Sequence, residues 1–579
     1  MSERGHYAVG IDFGTESARA LLVDCADGRE CATSIYRYAN GVLDERLPEP
    51  LAQVTLEPDW ALQDPDDYLR ALRHTVTKLL AQTGVAAADV VGIGIDFTSC
   101  TMLPTLADGT PLCSLGEFRS QPHAWVKLWK HHAAQPEADR INALAEAREE
   151  PWLQHYGGRI SSEWFFPKAL QILDEAPTVY QRADRLIEAG DWIVWRLTNV
   201  ETRNSCTAGY KAMWSKRDGF PAEDYFRALD PRFARVVDDK MSRQIVPIGT
   251  RAGGLAADPA AWTGLEVGTA VSVANVDAHV SAPAAAVTAP GVLVAVMGTS
   301  TCDIALGTEL RLVNGMCGVV EDGVVPGLFG YETGQPAVGD TFAWFVERFL
   351  PGTYHDRAAA EGRDVYDILN EEAATIRPGA SGLLALDWWN GNRSILVDTD
   401  LRGLIVGMTV ATRPPEVYRA LIESTAFGMR VIIEALRKAG VPVHRVVACG
   451  GLPERNKLLM QIYADATGCI FEVAASSQTP ALGSALFGAV AAGAALGGHD
   501  SIVEASRRMV QPSQERYVPN PENTRAYDLL YAEFLRLHDL FGRGGDDVMR
   551  NLKRIQLEQH PSASGRRPSR LEGDEAQRR

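Results

Sequence analysis

The chain has 579 residues, of which 46% are hydrophobic and 23% are charged, and its formal net charge is −17. This length exceeds what one hydrophobic core supports, so we expect two or more large domains. The acidic balance argues against a nucleic-acid partner or an anionic membrane, because both would need a basic face on the protein.

The first predicted element is a β-hairpin between Tyr7 and Asp24, with the sequence YAVGIDFGTESARALLVD. Two apolar runs flank Gly14 and Thr15, as in antiparallel strands joined by a tight turn. Glycine lets backbone N–H groups approach an anion and threonine adds a hydroxyl donor, so the turn can hold a phosphate. Asp12, just before the turn, could hold a hydrated Mg²⁺ against that phosphate. The alternative is an ordinary hairpin with an acidic strand end.

A helix and a buried strand follow in the order expected of an α/β domain. Residues 64–80 carry apolar side chains at helical spacing behind an Asp-Pro start. Residues 90–98 (VVGIGIDFT) predict a buried strand. Ligands of such domains bind at the carboxyl ends of the strands, and Asp96 lies at such an end, so we expect it near the substrate. The alternative for Asp96 is a turn cap.

Residues 118–132 (FRSQPHAWVKLWKHH) concentrate tryptophan, lysine and histidine. An indole face packs well on sugar C–H groups while nearby polar groups bond hydroxyls, so we predict a sugar-binding wall that includes Trp129. A metal site at His131 and His132 is disfavoured, because adjacent residues point apart on a helix. The alternative for the segment is a solvated helix with tryptophans in the core.

Residues 161–175 and 180–197 are predicted to be helices. The segment 204–214 (NSCTAGYKAMW) places Lys211 among small residues. It is too polar, and too interrupted by glycine, for a segment of the hydrophobic core. Residues 271–280 (VSVANVDAHV) predict a strand that delivers Asp277 into surroundings of small side chains. A carboxylate there, near a γ-phosphate, could orient and deprotonate an acceptor hydroxyl.

The chain then repeats the opening pattern as GVLVAVMGTSTCDIALG, with a second turn at Gly298 and Thr299. Two phosphate-type turns far apart in the chain suggest two similar halves that face each other across one nucleotide. Residues 330–339 (GYETGQPAVG) are predicted to form a loop that carries Glu332.

Later segments complete the second half. Residues 445–451 (RVVACGG) predict a buried strand that ends at Gly450 and Gly451, followed by a helix at 455–467. Bare backbone at the glycine pair would let a flat base lie close, and Asn456 could bond that base; the alternative is a plain strand–helix turn. Other predicted helices are 340–349, 414–439, 524–540 and a small-residue helix at 480–496 that can pack close to a sheet.

With these residues in view, the sequence resembles the FGGY carbohydrate kinases from about residue 7 to residue 540. The segments that carry the resemblance are GIDFGTESARA, VKLWKHHAAQPEADRIN, CTAGYKAMW, ANVDAHVSAPAA, MGTSTC, GGLPERNKLLMQIYADATG and TPALGSALFGA. The likeness is strongest to bacterial members that phosphorylate L-ribulose. It implies an α/β fold of two actin-like, ribonuclease H-like ATPase domains with a cleft between them. We expect these domains at 1–285 and 286–545, followed by a disordered tail at 546–579.

Position by position, the resemblance implies a role for each candidate residue. Asp277 would be the catalytic base and Asp12 would serve Mg²⁺. The remaining implied contacts are Trp129, Lys211 and Glu332 to the ketose, Gly14, Thr15, Gly298 and Thr299 to the phosphates of ATP, and Gly450, Gly451 and Asn456 to the adenosine. Two positions depart from the family pattern, since Glu16 replaces a small hydroxyl residue and Gln171 replaces a tryptophan.

We therefore expect ATP-dependent phosphorylation of L-ribulose to L-ribulose 5-phosphate in L-arabinose catabolism, with closure of the cleft excluding water. One alternative is a kinase for another ketopentose or polyol, such as D-ribulose, D-xylulose or ribitol. Another is a nonenzymatic actin-like ATPase whose cycle drives partner binding. No apolar leader or membrane-spanning stretch is evident, which predicts a cytoplasmic protein. A homodimer is expected because symmetric pairs are the commonest assembly.

Overall fold

A computed structural model describes residues 5–513 and 515–559 as two large mixed sheets with helices around them. The strands are β1 Tyr7–Phe13, β2 Ser17–Asp24, β3 Glu30–Arg37, β4 Leu62–Gln63, β5 Val90–Phe97, β6 Met102–Thr105, β7 Val126–Lys127, β8 Arg185–Glu188, β9 Arg251–Gly254, β10 Ala270–Ser272, β11 Asn275–Val276, β12 Gly291–Met297, β13 Thr301–Gly307, β14 Gly318–Glu321, β15 Phe329–Thr333, β16 Leu384–Leu386, β17 Leu404–Val406, β18 Val443–Cys449, β19 Ile470–Val473 and β20 Glu515–Tyr517. The α-helices are α1 Pro65–Thr83, α2 Gln135–Ala147, α3 Phe165–Glu175, α4 Pro177–Arg182, α5 Ala189–Thr198, α6 Ser205–Lys211, α7 Glu223–Leu229, α8 Val236–Lys240, α9 Ala257–Thr263, α10 Asp277–Ala284, α11 Gly339–Arg348, α12 Gly352–Glu361, α13 Val365–Ala374, α14 Pro414–Lys438, α15 Gly451–Arg455, α16 Lys457–Thr467, α17 Thr479–Ala492, α18 Ile502–Met509, α19 Pro521–Gly542 and α20 Val548–Gln559. We call residues up to 285 the N-terminal half and the rest the C-terminal half.

The first sheet has the strand order β3-β2-β1-β5-β10-β9, and β11 also pairs with β5. Strands β1 and β5 run parallel, so that Asp12 lies opposite Asp96, and β11 places Asn275 beside Asp96 from the other side. Parallel strands end at the same edge of a sheet. Asp12, Asp96 and Asp277, which directly follows β11, are therefore brought to one edge.

The second sheet has the strand order β14-β15-β13-β12-β18-β19-β20. Strands β12 and β18 run parallel, with Val296 opposite Cys449. The turn that follows β12 and the glycine pair that follows β18 consequently lie side by side. Helices α14 and α16 pack on this sheet and contribute to the largest apolar core of the C-terminal half.

Helix α17 belongs to the C-terminal half in sequence but packs on β1 and β5 of the first sheet. A Cβ atom added to Gly94 would lie 1.7 Å from the backbone oxygen of Ser484, and one on Gly92 would lie 2.0 Å from that of Gly488. Only glycine permits so close an approach of helix and sheet backbone. The prediction of a small-residue helix packed close to a sheet is confirmed, and the sheet is that of the N-terminal half.

Between β5 and β9, most of the chain builds a lobe that we call the inserted lobe, residues 98–250. Its sheet has the order β4-β7-β6-β8, and the first of these strands comes from the segment before α1. An aromatic core that includes Trp125, Phe166 and Tyr225 holds the lobe together.

The two hairpins are confirmed, as is α1, whose N-terminus is capped by Asp64. Two other predictions, and the alternative of a helix at 118–132, are wrong. Residues 180–197 are not one helix, because Arg185–Glu188 pairs with β6 and divides them into α4, β8 and α5. Residues 118–132 form no α-helix but a short 3₁₀ turn followed by β7. Residues 330–339 are not all loop, since Glu332 lies within β15, paired on both sides.

The segment 204–214 is also different from its prediction, because it contains the buried helix α6. Asn204 caps this helix by accepting from the backbone N–H of Thr207 at 2.8 Å. A Cβ on Gly209 would lie 2.3 Å from Val320, so the C-terminal half covers the helix and removes its polar residues from water.

The predicted disordered tail begins with an ordered helix, α20. Met549 on this helix is buried, and Arg550 donates to Asp398 at 2.6 Å. The remainder of that prediction, from residue 560, lies outside the described residues. Within the part of the chain that the structure describes, no helix is long and apolar enough to cross a membrane.

Candidate active site

Three carboxylates gather at the edge of the first sheet. Asp96 is fully buried, and burial followed by the neighbouring Asp12 carboxylate raises its pKa well above the ordinary value. Asp277 is the first residue of α10, where it is half-buried and accepts from the N–H of Ala278 at 2.7 Å. Burial, and then the charge of Asp12, raises the pKa of Asp277 to about 7. Asp277 therefore gains and loses its proton near pH 7.

Asp12 and Asp96 suit a hydrated divalent cation. Burial raises the pKa of Asp12 as well, although Asp96 and Arg19 partly offset that effect. Oδ1 of Asp96 is buried and has no hydrogen-bond partner among the described residues. Across those residues no group of three or more His, Cys, Asp or Glu side chains is arranged to hold a metal ion. A Mg²⁺ ion here would therefore keep most of its water and phosphate ligands, which is its usual behaviour in nucleotide sites.

The first turn is tied to the inserted lobe by a tryptophan. Gly14 donates its N–H to the backbone oxygen of Ser17 at 3.0 Å, which closes the turn. The Nε1 of Trp129 donates to Oγ1 of Thr15 at 3.0 Å, and Gln63 donates to the backbone oxygen of Thr15 at 2.6 Å. Trp129 is half-buried, so one part of its indole remains open beside the phosphate turn.

Other parts of the predicted sugar-binding wall lie in the core, whereas His132 is exposed. Lys127 is fully buried and donates to Oε1 of Gln171 at 3.0 Å, and burial lowers the pKa of its ammonium group well below the ordinary value. The same Gln171 oxygen lies 2.9 Å from Nε2 of His131. This network explains the departure at position 171, because a tryptophan could not accept the lysine proton.

Lys211 and Glu332 join the two halves at the floor of the cleft. Lys211, at the end of α6, donates to both carboxylate oxygens of Glu332 on β15, at 2.7 and 2.9 Å. His279 lies 3.3 Å from Glu332, and the Lys211 ammonium is 5.5 Å from the ring centre of Trp164. Burial alone would raise the pKa of Glu332, but Lys211 and His279 outweigh it and leave the pKa well below its ordinary value. The pair is therefore fully ionised.

The second turn is open to solvent. Gly298 and Thr299 are exposed, and Gly298 donates its N–H to the backbone oxygen of Ser300 at 2.9 Å. The backbone oxygen of Thr299 accepts from the N–H of Val338 at 2.8 Å, which ties the turn to the start of α11. Shortly after the turn comes Cys302, whose thiol is near enough to Glu332 for that charge to add to the effect of burial in raising its pKa. The second turn thus leads into β13, which pairs with β15, the strand that carries Glu332.

Gly450 lies against the strand that leads into the second turn. Its φ is 98°, and a Cβ there would lie 2.5 Å from the backbone oxygen of Met297, so only glycine fits. Gly451 is exposed, with nothing within 4 Å of where its Cβ would be. Asn456 is buried, and it accepts from the N–H of Leu459 as the cap of α16. It also donates to the Tyr418 hydroxyl at 3.2 Å, so both of its polar atoms have protein partners here.

Sequence reasoning missed residues that border this cleft. Arg393 is half-buried and forms no hydrogen bond or ion pair with any described residue, although its charge interacts with Glu163 and Glu332. The next residue, Ser394, accepts from the N–H of Gly334 at 3.3 Å, which fixes this segment beside β15. Ser484 donates to Oδ2 of Asp96 at 2.6 Å. Ser484 lies in the quoted segment TPALGSALFGA, but nothing there indicates its bond to Asp96, and no quoted segment includes Arg393. Their partners are far away along the chain.

Comparisons with known proteins cover nearly all of the chain. Two family models, described as the N-terminal and C-terminal domains of the FGGY family of carbohydrate kinases, match residues 7–283 and 293–492. A ribulokinase from Geobacillus thermodenitrificans is 56% identical over 547 residues, covering 94% of this chain and 96% of that protein. A ribulokinase from Mycolicibacterium smegmatis is 50% identical over 548 residues, with the same two coverages.

Solved structures resemble the whole molecule. A xylulose kinase from Rhodospirillum rubrum superposes with a TM-score of 0.75 at 22% identity, covering 92% of this chain and 98% of that chain. A glycerol kinase from Plasmodium falciparum, solved with ADP, gives a TM-score of 0.70 at 15% identity with the same coverages. At these identities the likeness establishes the fold alone. The predicted fold class of two actin-like α/β domains is confirmed.

Proposed function

The chain belongs to the FGGY family of carbohydrate kinases, and we propose that it transfers the γ-phosphoryl group of ATP to the C5 hydroxyl of L-ribulose. The observation that carries this proposal is its identity of 50–56% to ribulokinases over nearly the full length of both chains. L-Ribulose 5-phosphate would be the product, which suits a role in L-arabinose catabolism. The reaction belongs in the cytoplasm, where ATP is available.

Asp277 is the proposed general base. Its carboxylate stands at the cleft beside Asp12, and its pKa of about 7 lets it accept a proton from a sugar hydroxyl at neutral pH. The proton would pass to Asp277 as the hydroxyl oxygen attacks phosphorus. Closure of the two halves around the sugar would keep water from taking its place.

The sugar is proposed to lie between Trp129 and the Lys211–Glu332 pair. Lys211 has three N–H donors and Glu332 has acceptor capacity beyond the lysine, so the pair can bond neighbouring hydroxyls of one sugar. Asp96 is fully buried and lies opposite Asp12 in the register of β1 and β5. We therefore assign Asp96 to the cation rather than to direct contact with the ketose.

ATP is proposed to bridge the two turns. Gly14 and Thr15 on one side and Gly298 and Thr299 on the other would bond phosphate oxygens through backbone N–H and hydroxyl groups. The adenosine would lie by Gly450 and Gly451, with Asn456 beside them. Asp12 and Asp96 would hold the Mg²⁺ that accompanies ATP, and that ion would neutralise charge on the phosphates.

A substrate screen tests the proposed reaction. ADP release would be measured with the four 2-ketopentoses, ribitol and L-arabitol as acceptors, at fixed Mg²⁺ and ATP. We expect the highest kcat/KM with L-ribulose and little ADP release without a sugar. A higher kcat/KM for another acceptor would identify that acceptor, and not L-ribulose, as the preferred substrate. An ADP release that no sugar changes would instead favour an actin-like ATPase without sugar kinase activity.

A homodimer is the assembly we propose on general grounds, since twofold pairs are the commonest among oligomers. Light scattering of the purified chain at micromolar concentration measures its mass directly. A mass near the 62.9 kDa of one chain would contradict the dimer.

A further inference from the structure

Ser484 forms a hydrogen bond that joins the two halves at the cation site. Its hydroxyl donates to Oδ2 of Asp96 with an oxygen–oxygen distance of 2.6 Å, and both side chains are fully buried. Ser484 is on α17 of the C-terminal half, whereas Asp96 is the last residue but one of β5 in the N-terminal half. At this distance the hydroxyl fixes the orientation of the Asp96 carboxyl group, because both groups are buried and water cannot replace the bond.

The position of Ser484 is fixed by backbone packing. The backbone oxygen of Ser484 would lie 1.7 Å from a Cβ on Gly94, and that of Gly488 would lie 2.0 Å from a Cβ on Gly92. Helix α17 therefore rests directly on the strand, with no flexible side chain between them. A helix seated in this way cannot slide without steric overlap. Ser484 thus presents its hydroxyl from a rigid support.

The Asp96 carboxyl group also neighbours the carboxyl group of Asp12. Oδ1 of Asp96 is buried and has no hydrogen-bond partner among the described residues. Asp12 lies beside it in the register of β1 and β5. A buried acceptor with no partner is costly unless a ligand satisfies it. Two neighbouring carboxylates attract a divalent cation with its water shell.

We propose that Ser484 is a positioning residue for the divalent cation that accompanies ATP. By holding Oδ2 of Asp96, it directs Oδ1 towards a cation or its water beside Asp12. The C-terminal half, which carries the second turn, in this way sets the geometry of a cation site in the N-terminal half. This inference rests on the proposed function, in which Asp12 and Asp96 hold Mg²⁺.

Cation binding without turnover tests the role of Ser484. Mn²⁺ would be titrated into the full chain with ADP and no sugar, and the free ion would be followed by electron paramagnetic resonance. Removing an outer partner of a metal ligand typically weakens metal affinity by about 10–100-fold. We expect Ser484→Ala to weaken Mn²⁺ binding about tenfold, at the low end of that range.

Ser506→Ala is the matched control. Ser506 is also buried, at 2% exposure, and its hydroxyl donates across the two halves to the backbone oxygen of Pro283 at 2.7 Å. It loses a comparable bond but touches no carboxylate. We expect its Mn²⁺ affinity to match that of the unmodified chain. Equal losses of Mn²⁺ affinity in both variants would mean that a general loosening of the contact between the two halves, and not the bond to Asp96, explains the effect.

Other outcomes separate this inference from the proposed function. If the unmodified chain binds no Mn²⁺ with ADP, the cation site itself is wrong. If it binds and Ser484→Ala binds equally well, only the role of Ser484 is overturned. Should Ser484→Ala fail to fold by circular dichroism, Ser484→Cys retains the volume with a weaker donor, and we expect a loss in the same direction.

A double variant tests the route through Asp96. In an Asp96→Asn background the charged ligand is already lost, so adding Ser484→Ala should change Mn²⁺ affinity by less than about twofold. A further tenfold loss in that background would show that Ser484 acts by another route and would overturn the inference.

Discussion

Asp277 combines an open position at the cleft with a carboxyl that titrates near neutrality. Most buried carboxylates in this chain are engaged by a cation or an amide, as Glu332 is by Lys211. Among the described residues, the Asp277 carboxylate accepts a hydrogen bond only from the N–H of Ala278, so its basicity is set by burial and by the nearby charge of Asp12. A group with these neighbours gains a proton readily and can return it.

Replacing Asp277 by asparagine should abolish most of the activity without unfolding the chain. General-base assistance contributes about 10²–10⁴-fold, so kcat with L-ribulose should fall by that factor. Asparagine retains the acceptor for Ala278, and thermal unfolding should change little. Near-normal turnover in a folded Asp277→Asn chain would rule out the base assignment.

The same carboxyl predicts the pH dependence. The base acts only when deprotonated, so kcat/KM for the sugar should rise with pH through about 7 and then level off. The charge of Asp12 contributes to the raised pKa, and a bound cation would offset that charge. The rise of kcat with pH, measured at saturating Mg²⁺ and ATP, should therefore occur at lower pH than the rise of kcat/KM. Equal pKa values from the two pH profiles would show that the bound cation does not offset the effect of the Asp12 charge on Asp277.

Arg393 should be needed to bind sugar. Its guanidinium has five N–H donors and no hydrogen-bonding partner among the described residues. Its charge interacts with Glu332 of the proposed sugar site. A hydrogen bond from a charged donor is worth about 1.5–3 kcal/mol, so Arg393→Gln should raise the KM for L-ribulose about tenfold or more. The KM for ATP should stay the same. Arg402→Gln, at an exposed arginine of the same segment, serves as the control; equal effects would remove Arg393 from the site.

Among the elements, α17 is a helix that covers one face of the first sheet. Glycines of β1 and β5 let the helix backbone touch the sheet, and the apolar core on that side includes Leu482 and Phe487. The N-terminal half thus depends for its core on a helix encoded near the end of the chain. The two halves are consequently not independent folding units.

Gly94→Ala should be strongly destabilising. The added Cβ would meet the backbone oxygen of Ser484 at 1.7 Å, and backbone cannot rotate away as a side chain can. We expect a loss of about 3 kcal/mol or more, seen as a lower Tm or as loss of soluble protein. Gly352→Ala is the matched control, since nothing lies within 4 Å of its Cβ position at the start of α12. A Tm that matches the control would mean that α17 can move off the sheet.

Local patterns predicted the elements whose causes are local. The hairpins, the capped start of α1 and the glycine pair after β18 are all specified by residues within a few positions of each other. Strand β8 was missed because only its pairing with β6 makes it a strand. Helix α6 was misjudged because the other half of the chain covers it.

The candidate site divides in the same way. Asp12, Asp277 and the two turns stand in recognisable motifs. Arg393 stands in none. Ser484 stands in TPALGSALFGA, which predicts a small-residue helix but not the bond to Asp96, since the residues that Ser484 and Arg393 face come from distant segments that only the folded chain brings near.

For the molecule as a whole, the Lys211–Glu332 pair and α17 are two of the connections that span the halves. The pair lies in the cleft at the proposed sugar site. Helix α17 packs on the first sheet, whose edge carries Asp12 and Asp96. A sugar that bonds both members of the pair would contact both halves at once. Its binding energy could therefore favour the closed cleft, as expected for a kinase that must avoid hydrolysing ATP.

Breaking that pair should weaken the join between the halves. Lys211→Met leaves the buried Glu332 carboxylate without its cation, and such a loss costs about 3–5 kcal/mol. The double variant Lys211→Met/Glu332→Gln removes the orphaned charge and should recover much of the Tm, but no activity. Thermal unfolding of the full-length chains measures both, and equal Tm values for the single and double variants would contradict this account.

The deficit of Lys211→Met should depend on pH in a definite direction. In the unmodified chain Lys211 and His279 hold the pKa of Glu332 below its ordinary value, so the stabilisation by the pair is present above that ordinary value and is lost only in stronger acid. Without Lys211 the effect of burial dominates and raises the pKa, so the carboxyl can take up a proton as the pH falls. The Tm difference between the two chains should therefore be larger at pH 8 than at pH 5. A difference that stays constant across this range would show that Glu332 does not carry the buried charge and that the two halves are held together by other contacts.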